Sequence, residues 1–345
     1  MTGWRQSAQR LSTAVWTAAA RAGLRVADGA LQWHPSAQES PRLTGTRSWF
    51  DANHMSGAYL PLELREGDRV HAWMAVREIA APGVFRRWLL LCEPHFAVDS
   101  PVNQGQALAA LVAMARANRV DTVRCRSIFA DWTGPDLSSL ADLEGVEVEH
   151  EDVGSYLLDL SASPDAWIAN LHSKHRYAFR RGVRDGVAVH PAVEATTFIS
   201  LMETTYQRGG KSNPFKAAYL RQLIEAPRVP TCVASATVDD AVQAAVIVAH
   251  DANQAWFIHG VSIDHPATGA SVLCHLEIMT QLKARGVTTY DLGGAVENDE
   301  DPRIAGITRF KSRFGAPFRP RQRFTLELSG GERMLGKALG LSRWR

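Results

Sequence analysis

Apolar and polar residues alternate along positions 57–79 on either side of the polar tetrapeptide 65–68, a pattern that predicts a β-hairpin. Residues 87–92 form a short apolar run that is typical of a buried strand. Apolar side chains recur at helical spacing from 104 to 118, and residues 120–125 return to a strand pattern. The first part of the chain is therefore predicted to contain three strands, a helix and a further strand.

The second part of the chain repeats this order. A strand at 156–160 precedes Ser161 or Ser163 as an N-cap and Pro164 in the first turn of a helix over 165–184. The pattern then predicts a helix, three strands, a second helix and a last strand, at 198–206, 231–237, 241–250, 255–263, 270–285 and 287–292. This repetition predicts a structural duplication of the α+β class, with two mixed sheets flanked by helices.

The predicted boundaries follow from these two sets of elements. Residues 1–45 are an N-terminal helix and lead-in, 46–152 the first domain and 153–320 the second. Residues 321–345 are a basic strand and helix that pack back on the first domain. Arg5 and Arg10 precede the apolar stretch 11–20, which predicts an amphipathic helix rather than a signal peptide. The chain contains no apolar run of the roughly 20 residues that would span a bilayer.

The charge is close to balanced but unevenly distributed. The net charge is +2. Residues 303–345 hold eleven Lys and Arg against two Glu, a balance of +9, so residues 1–302 carry 2 − 9 = −7. A second basic cluster comprises Lys174, Arg176, Arg180, Arg181 and Arg184. Two concentrated patches predict phosphate sites rather than a protein that coats DNA, although a solvated helix face is the alternative for the second.

The four cysteines lie far apart in the sequence and form no C-x-x-C pair. This spacing predicts reduced core thiols in a cytoplasmic protein rather than a disulfide framework or a zinc site. His172 and His175 form an H-x-x-H pair that lacks a suitable third ligand, so no metal is expected.

Residues 290–320 combine a strand end, a glycine turn at Gly293-Gly294, an acidic loop around 298–301 and a basic aromatic segment at 310–315. Asp291 is expected at the carboxyl end of its strand, where open α/β sheets bind their ligands. The segment is interpreted as a catalytic edge, and the alternative is a surface turn that leads into an edge strand.

Five stretches together resemble the Fem family. They are YLLDLSASPDAWIANLHSKHRYAFRRGVRDGV, WFIHGVSID, GASVLCHLEIMTQLKARG, TTYDLGG and FKSRFG. Fem proteins have duplicated acetyltransferase-like (GNAT) domains and transfer an amino acid from aminoacyl-tRNA to an amine. The chain is also similar to a related group of GNAT acetyltransferases. The resemblance covers about residues 155–320 by motif and the first half by architecture.

The resemblance implies roles for particular residues. Lys311, which follows a phenylalanine as in the family, would stabilise the oxyanion of the acyl transfer. The implied tRNA contacts are Arg309, Phe310, Arg313, Phe314, Arg319, Arg321 and Arg323, and both phenylalanines would stack on terminal bases. For Phe310 a core position is the alternative. The implied contacts with a phosphate of the acceptor, such as a cell-wall nucleotide precursor, are Lys174, Arg176, Arg180 and Arg181.

Two further residues carry open alternatives. Asp291 would hold the attacking amine or the lysine, or would only cap the glycine turn. His259 would accept a proton, or would be a histidine bonded within the sheet. No residue is identified as the general base.

The expected co-substrate is aminoacyl-tRNA, with no bound cofactor, and the acceptor is a small-molecule or peptidoglycan-precursor amine. Peripheral contact with a membrane is compatible with these predictions. An acyl-CoA-dependent N-acyltransferase is the first alternative, with acetyl-CoA as donor. The expected Q/R-x-x-G-x-G/A loop keeps its first glycine at Gly269 but is degraded at Pro266 and Ser271. A non-catalytic module that binds RNA or the precursor is the second alternative.

Overall fold

A computed structural model describes residues 24–53, 55, 57–80, 85–125, 146–297 and 299–329. The helices predicted before residue 24 and after residue 329 lie outside these residues. The chain divides into two compact units. Unit 1 comprises residues 1–50, 55–152 and 321–345, and unit 2 comprises residues 51–54 and 153–320.

Unit 1 is built on a mixed sheet. Its strands are β1 (Leu31–Pro35), β2 (Ala58–Glu66), β3 (Arg69–Ala80), β4 (Arg86–Leu90), β5 (His95–Phe96) and β6 (Thr122–Cys125). The predicted hairpin at 57–79 is confirmed as the antiparallel pair β2–β3, and β4 pairs with β6 in parallel. The short helix α1 (Arg47–Ala52) precedes β2, and α2 (Gln104–Ala117) links β5 to β6.

Helix α2 covers one face of this sheet. Asn103 and Gln106 form a capping box at its N-terminus, which satisfies backbone donors that a helix start leaves free. Leu108 and Leu111 of α2 are buried in a core with Trp88, and the Trp33 indole donates to Ala107 O at 2.8 Å.

Two strands carry the chain from one unit to the other. It leaves unit 1 within β7 (Glu147–Asp159) and returns within β13 (Phe318–Glu327). In unit 1 the later part of β13 pairs antiparallel with β6, with Phe324 opposite Cys125 and Glu327 opposite Thr122.

Unit 2 holds the remaining elements. They are α3 (Pro164–Asn170), α4 (Ser173–Arg184), β8 (Ala188–His190), α5 (Ala195–Arg208), α6 (Ala217–Glu225), β9 (Thr231–Val238), β10 (Ala241–His250), β11 (Gln254–Ser262), α7 (Ala270–Ala284), β12 (Thr289–Ala295) and α8 (Pro302–Ser312). The strand order is β7-β12-β11-β10-β9-β8. Helices α3 and α7 pack on one face of the sheet, and α5 and α6 pack on the other. The predicted class, mixed sheets flanked by helices, is confirmed.

The single helix predicted over 165–184 is wrong. Ser163 and Pro164 start a helix as expected, but α3 ends at Asn170 because Leu171 and His172 adopt extended backbone angles. The His172 side chain accepts a hydrogen bond from Lys174 N and so caps a second helix, α4. Trp167 therefore lies on α3 and Leu171 at its C-terminal cap, whereas the basic residues 174–184 lie on α4.

The segment after residue 298 was predicted as an acidic loop that leads into a basic aromatic segment, with an edge strand as the alternative. It contains helix α8, which begins where Asp301 accepts a hydrogen bond from Arg303 N at 2.8 Å and Pro302 occupies the first turn. Aspartate followed by proline is a common start of a helix, so the sequence held this signal.

The contact of α4 with the start of α7 gives a first testable prediction. Gly269, the N-cap of α7, has φ +95°, and a Cβ there would lie 2.3 Å from the Ala178 carbonyl oxygen of α4. Gly286 has φ +82°, and a Cβ there would meet no atom within 4 Å. We expect Gly286→Ala to cost roughly 1–2 kcal/mol from its left-handed backbone alone, and Gly269→Ala to cost clearly more.

Urea denaturation followed by circular dichroism would measure both variants. Equal denaturation midpoints for the two variants would contradict the close packing of α4 against Gly269.

Candidate active site

The site lies where two parallel strands of unit 2 separate. Strands β11 and β12 pair only from Gln254–Thr289 to Trp256–Asp291, although both continue beyond these residues. Past this point β12 bends at a bulge between Asp291 and Gly294 in its pairing with β7. Gly293 occupies the bulge with φ +77°, a backbone conformation that glycine adopts without a steric penalty.

Asp291 holds this bulge together. Its side chain is fully buried, and its Oδ1 accepts hydrogen bonds from the Ser155 hydroxyl and, at 2.7 Å, from Gly293 N. The Ser155 hydroxyl also lies 3.1 Å from Gly293 O. This is the geometry of a turn cap, and it leaves Asp291 without access to an attacking amine from solvent.

Lys311 of α8 brings its amine to the same place. The side chain is only 7% exposed, and Nζ donates to Gly294 O at 2.8 Å and lies 5.8 Å from the centroid of the Phe257 ring of β11. Burial lowers the pKa of Lys311 to about 8, and the negative charge of Asp291 offsets part of that shift. A cationic group is thus held, largely desolvated, beside the parting strands.

The aromatic side chains on either side of Lys311 fix the position of α8. The Phe314 ring contacts the rings of His175, His275 and Phe310 at centroid distances of 4.8, 5.0 and 5.4 Å. Phe314 is 2% exposed, so its predicted stacking on a tRNA base is wrong. Residues 310 and 314 are four apart on one helix end, and both turn toward the core of unit 2. The half-buried Phe310 takes the core position that was its alternative.

Two buried histidines complete this cluster, and the sequence patterns did not identify them as parts of the site. His175 of α4 contacts Phe310 O through Nε2 at 3.0 Å, and His275 of α7 contacts the Tyr290 hydroxyl through Nδ1 at 2.9 Å. Burial lowers the pKa of His175 to about 4 and that of His275 to about 3. Both imidazoles are therefore neutral near pH 7. A histidine on a helix gives no local signal of such a contact before the tertiary packing is known.

His259 lies on the face of the sheet that α5 and α6 cover. Its Nε2 is 3.2 Å from the Tyr219 hydroxyl, and its ring packs against Phe215 at 4.5 Å. Burial lowers the pKa of His259 to about 4. The residue bonds to Tyr219 of α6 rather than within the sheet, and this buried environment is unsuited to a proton acceptor for a substrate.

The arginines predicted to bind tRNA fall in both units. Arg309 and Arg319 of unit 2 are exposed and Arg313 is half-buried. Arg321 is 3% exposed in unit 1. Its predicted contact with RNA is wrong, because a side chain this deeply buried cannot reach a phosphate in solvent. Arg323 is half-buried in the same unit.

The basic residues of α4 are mostly exposed. Arg176 donates to Ala169 O at 2.6 Å, at the end of α3. Arg181 bonds to Asp185 at 2.9 Å and to the Tyr177 hydroxyl at 3.1 Å. Lys174 and Arg180 are exposed and enter no ion pair among the described residues.

In the part of the chain that the structure describes, no three or more His, Cys, Asp or Glu residues are grouped as a metal site would require. No helix there has the length and apolar character needed to cross a membrane. All four cysteines are buried free thiols.

Comparison with known proteins assigns the fold of this site. The family model of the acetyltransferase (GNAT) domain matches residues 169–312. The crystal structure of FemX is similar with a TM-score of 0.65 and 13% identity, over 88% of this chain and 96% of that one. No curated protein sequence matches the chain.

Two further solved structures are also similar to the chain. The C-terminal domain of a protein described as a lysylphosphatidylglycerol synthetase from Agrobacterium fabrum gives a TM-score of 0.51 and 16% identity, over 78% of this chain and 84% of that one. L-PGS from Bacillus licheniformis gives a TM-score of 0.51 and 11% identity, over 88% of this chain and 98% of that one. At these identities the similarity shows the fold. The resemblance to the Fem family is thereby confirmed at the level of the GNAT fold, whose chemistry is acyl transfer.

The buried amine gives a second prediction. We expect the Nζ of Lys311 to titrate near pH 8, about two units below an exposed lysine. Because this folded-state pKa is below the unfolded value of about 10.4, the charge destabilises the folded protein fully below pH 8, and the penalty disappears as the pH rises toward 10.4.

Carbon NMR of protein labelled at lysine Cε would follow the six lysines of the chain directly. The early-titrating signal should be missing from Lys311→Met and should persist in Lys283→Met. If all signals titrate above pH 10, the amine is not desolvated as described.

Proposed function

We propose that the protein is an aminoacyltransferase that moves an amino acid from aminoacyl-tRNA to the amine of a small-molecule or peptidoglycan-precursor acceptor. One observation carries the proposal, namely the desolvated ammonium of Lys311 beside the parting of β11 and β12. In a GNAT-type fold, a fixed cation at such an opening can serve a reaction that develops negative charge on a carbonyl oxygen.

The reaction proceeds by attack of the neutral acceptor amine on the ester carbonyl of the charged tRNA. The new C–N bond forms a tetrahedral intermediate whose oxyanion accepts a hydrogen bond from Lys311. Collapse of the intermediate breaks the C–O bond to the ribose, and the proton lost by the amine is taken up by the departing ribose oxygen. Because the ester is already activated, orientation and charge stabilisation supply most of the catalysis.

Lys311 suits the oxyanion role better than the role of a base. With a pKa of about 8, the Lys311 amine is charged in most molecules at pH 7. An ammonium has three N–H donors, and Gly294 O uses one of them, which leaves donors for a substrate oxygen. Asp291 acts through Lys311, because its negative charge favours the ammonium form while its own Oδ1 secures the bulge.

The choice of donor rests on the sequence and on the fold. The motifs that resemble the Fem family include Phe310-Lys311, and FemX is similar in fold over nearly its whole chain. The loop before α7 contains Pro266, which lacks an N–H. Ser271, in the first turn of α7, stands where CoA-binding motifs have glycine or alanine. Acetyl-CoA remains the second candidate donor, because the acetyltransferase (GNAT) domain model matches residues 169–312. An aminoacyl-tRNA donor implies work in the cytoplasm.

Removal of the amine tests the mechanism. We expect Lys311→Met to fold and to bind RNA as the wild type does, but to lose turnover about 10²–10³-fold, the size of effect seen when an oxyanion donor is deleted. Lys283→Met, which removes an ammonium that bonds to Leu160, Ser161 and Ala162 carbonyl oxygens instead, is the matched control for loss of a partly buried lysine. Wild-type turnover in Lys311→Met would remove this residue from the mechanism.

The identity of the donor can be tested directly. Purified protein would receive a panel of amines together with either acetyl-CoA or total tRNA charged with labelled amino acids, and amide products would be measured by mass spectrometry. We expect product only with charged tRNA, and we expect RNase treatment beforehand to abolish it. An RNase-resistant product that requires acetyl-CoA would overturn the proposed donor.

A further inference from the structure

The structure brings together two basic sets that the sequence assigns to different ligands. Helix α4 packs directly on the end of α8: His175 contacts Phe310 O at 3.0 Å, and His172 N donates to Arg313 O at 2.9 Å. The charge of Arg313 also contributes to the lowered pKa of His175. The basic residues of α4 therefore continue the surface on which Arg309 and Arg313 of α8 lie.

The charges on α4 are spread along the helix rather than gathered at one point. Lys174 and Arg184 are ten residues apart, which corresponds to about 15 Å along the axis. Arg180 and Arg181 lie between them on the solvent side. A single phosphate or diphosphate would engage converging side chains, whereas an extended row of cations complements a chain of phosphates.

One aromatic side chain lies among these cations. Tyr177 is 58% exposed, and Arg181, one turn later on α4, donates to its hydroxyl at 3.1 Å. Lys174 and Arg180 are its neighbours at three positions before and after. An exposed ring held between cations is the arrangement with which proteins stack the bases of a single strand while they bind its backbone.

We propose that the solvent face of α4, together with Arg309 and Arg313, binds the single-stranded end of the charged tRNA, and that Tyr177 is the platform on which a base stacks. This inference rests on the proposed function, and it deepens it. The stacking role passes from Phe310 and Phe314, which are core residues, to Tyr177. The basic side chains of α4 then bind the tRNA donor instead of a phosphate on the acceptor.

The position of this surface suits the reaction. Arg309 and Arg313 are each two residues from Lys311, about 3 Å along the axis of α8. Lys311 turns toward the core and the parting strands, while Arg309 remains exposed. RNA held along α4 and the end of α8 would thus lie against the helix that carries the buried amine.

The charge balance of the surface favours a polyanion. Asp185 is the acid that pairs with this face, and it bonds to both Arg181 and Arg184. The opposing feature is the acidic stretch just before α8, at Asp299, Glu300 and Asp301, which at least two turns of α8 separate from Arg309. A membrane surface is the competing partner for a basic helix, but such helices carry a broad apolar face, whereas the solvent side of α4 exposes Tyr177 and Val183 among its cations.

Binding of an uncharged RNA hairpin with a single-stranded CCA end, followed by fluorescence anisotropy at several salt concentrations, tests the surface. We expect the double variant Lys174→Ala/Arg180→Ala to bind more weakly and to lower the slope of log K against log salt by about 1.5, as expected for two lost phosphate contacts. Arg221→Ala, which removes an exposed arginine paired with Glu225 on α6, is the control and should bind like the wild type. An unchanged slope in the double variant would overturn the proposal.

Steady-state kinetics test the role of Tyr177. We expect Tyr177→Ala to raise KM for charged tRNA at least tenfold and to leave kcat near the wild-type value, because the stacking contact lies outside the reacting atoms, and Tyr177→Trp to restore KM. A wild-type KM in Tyr177→Ala, or a drop in kcat alone, would contradict the platform.

These outcomes separate the two proposals. If the wild type transfers from charged tRNA but the α4 variants keep wild-type KM values, the surface is wrong and the function stands. If the wild type does not use charged tRNA at all, the function is wrong. Sedimentation with vesicles of phosphatidylglycerol tests the membrane surface as the competing partner. If the double variant loses vesicle binding while its RNA binding is unchanged, the solvent face of α4 binds a membrane instead.

Discussion

The candidate site depends on the burial of one ammonium group. Moving a charge out of water is costly, and Lys311 is retained in its charged form by the Gly294 carbonyl and the nearby Asp291. The bulge in β12 makes this possible, because it turns a carbonyl toward α8 and places a glycine where a side chain would approach the amine. Asp291, Ser155 and Gly293 thus form the support of the site, and Lys311 is the group that they present.

The packing of α8 connects this support to the rest of unit 2. Its two phenylalanines and the two neutral histidines form one aromatic cluster between α4, α7 and α8. Because their pKa values are low, these histidines are neutral and add no positive charge near Lys311. A positive charge there would disfavour the ammonium form of Lys311. The same cluster fixes where α4 lies, so the position of the catalytic candidate and the position of the basic surface have a common origin.

The repeating pattern of strands and helices predicted the fold class and most elements of unit 2, because apolar periodicity directly records which faces are buried. Lys311 and the turn at Gly293 could be selected from local order and family resemblance. The inward direction of Arg321 could not, since arginine is usually exposed. For Phe314, the usual burial of phenylalanine was outweighed by the stacking role that the family resemblance implied. Asp301-Pro302 was a helix start that could be seen in the sequence. The break at Leu171 and His172 could not be seen, because the residues on either side of it continue the spacing of a single helix.

The return of the chain through β13 has a consequence for the order of folding during synthesis. Strand β6 of unit 1 takes its antiparallel partner from residues 324–327, which the ribosome makes after all of unit 2. Domains usually complete their structure in the order in which they are translated. Here the order is inverted: unit 2 can close its sheet first, while the edge of β6 in unit 1 waits about 200 residues for its neighbour. The N-terminal half is thus the part of the nascent chain that is most exposed to misassociation with other chains.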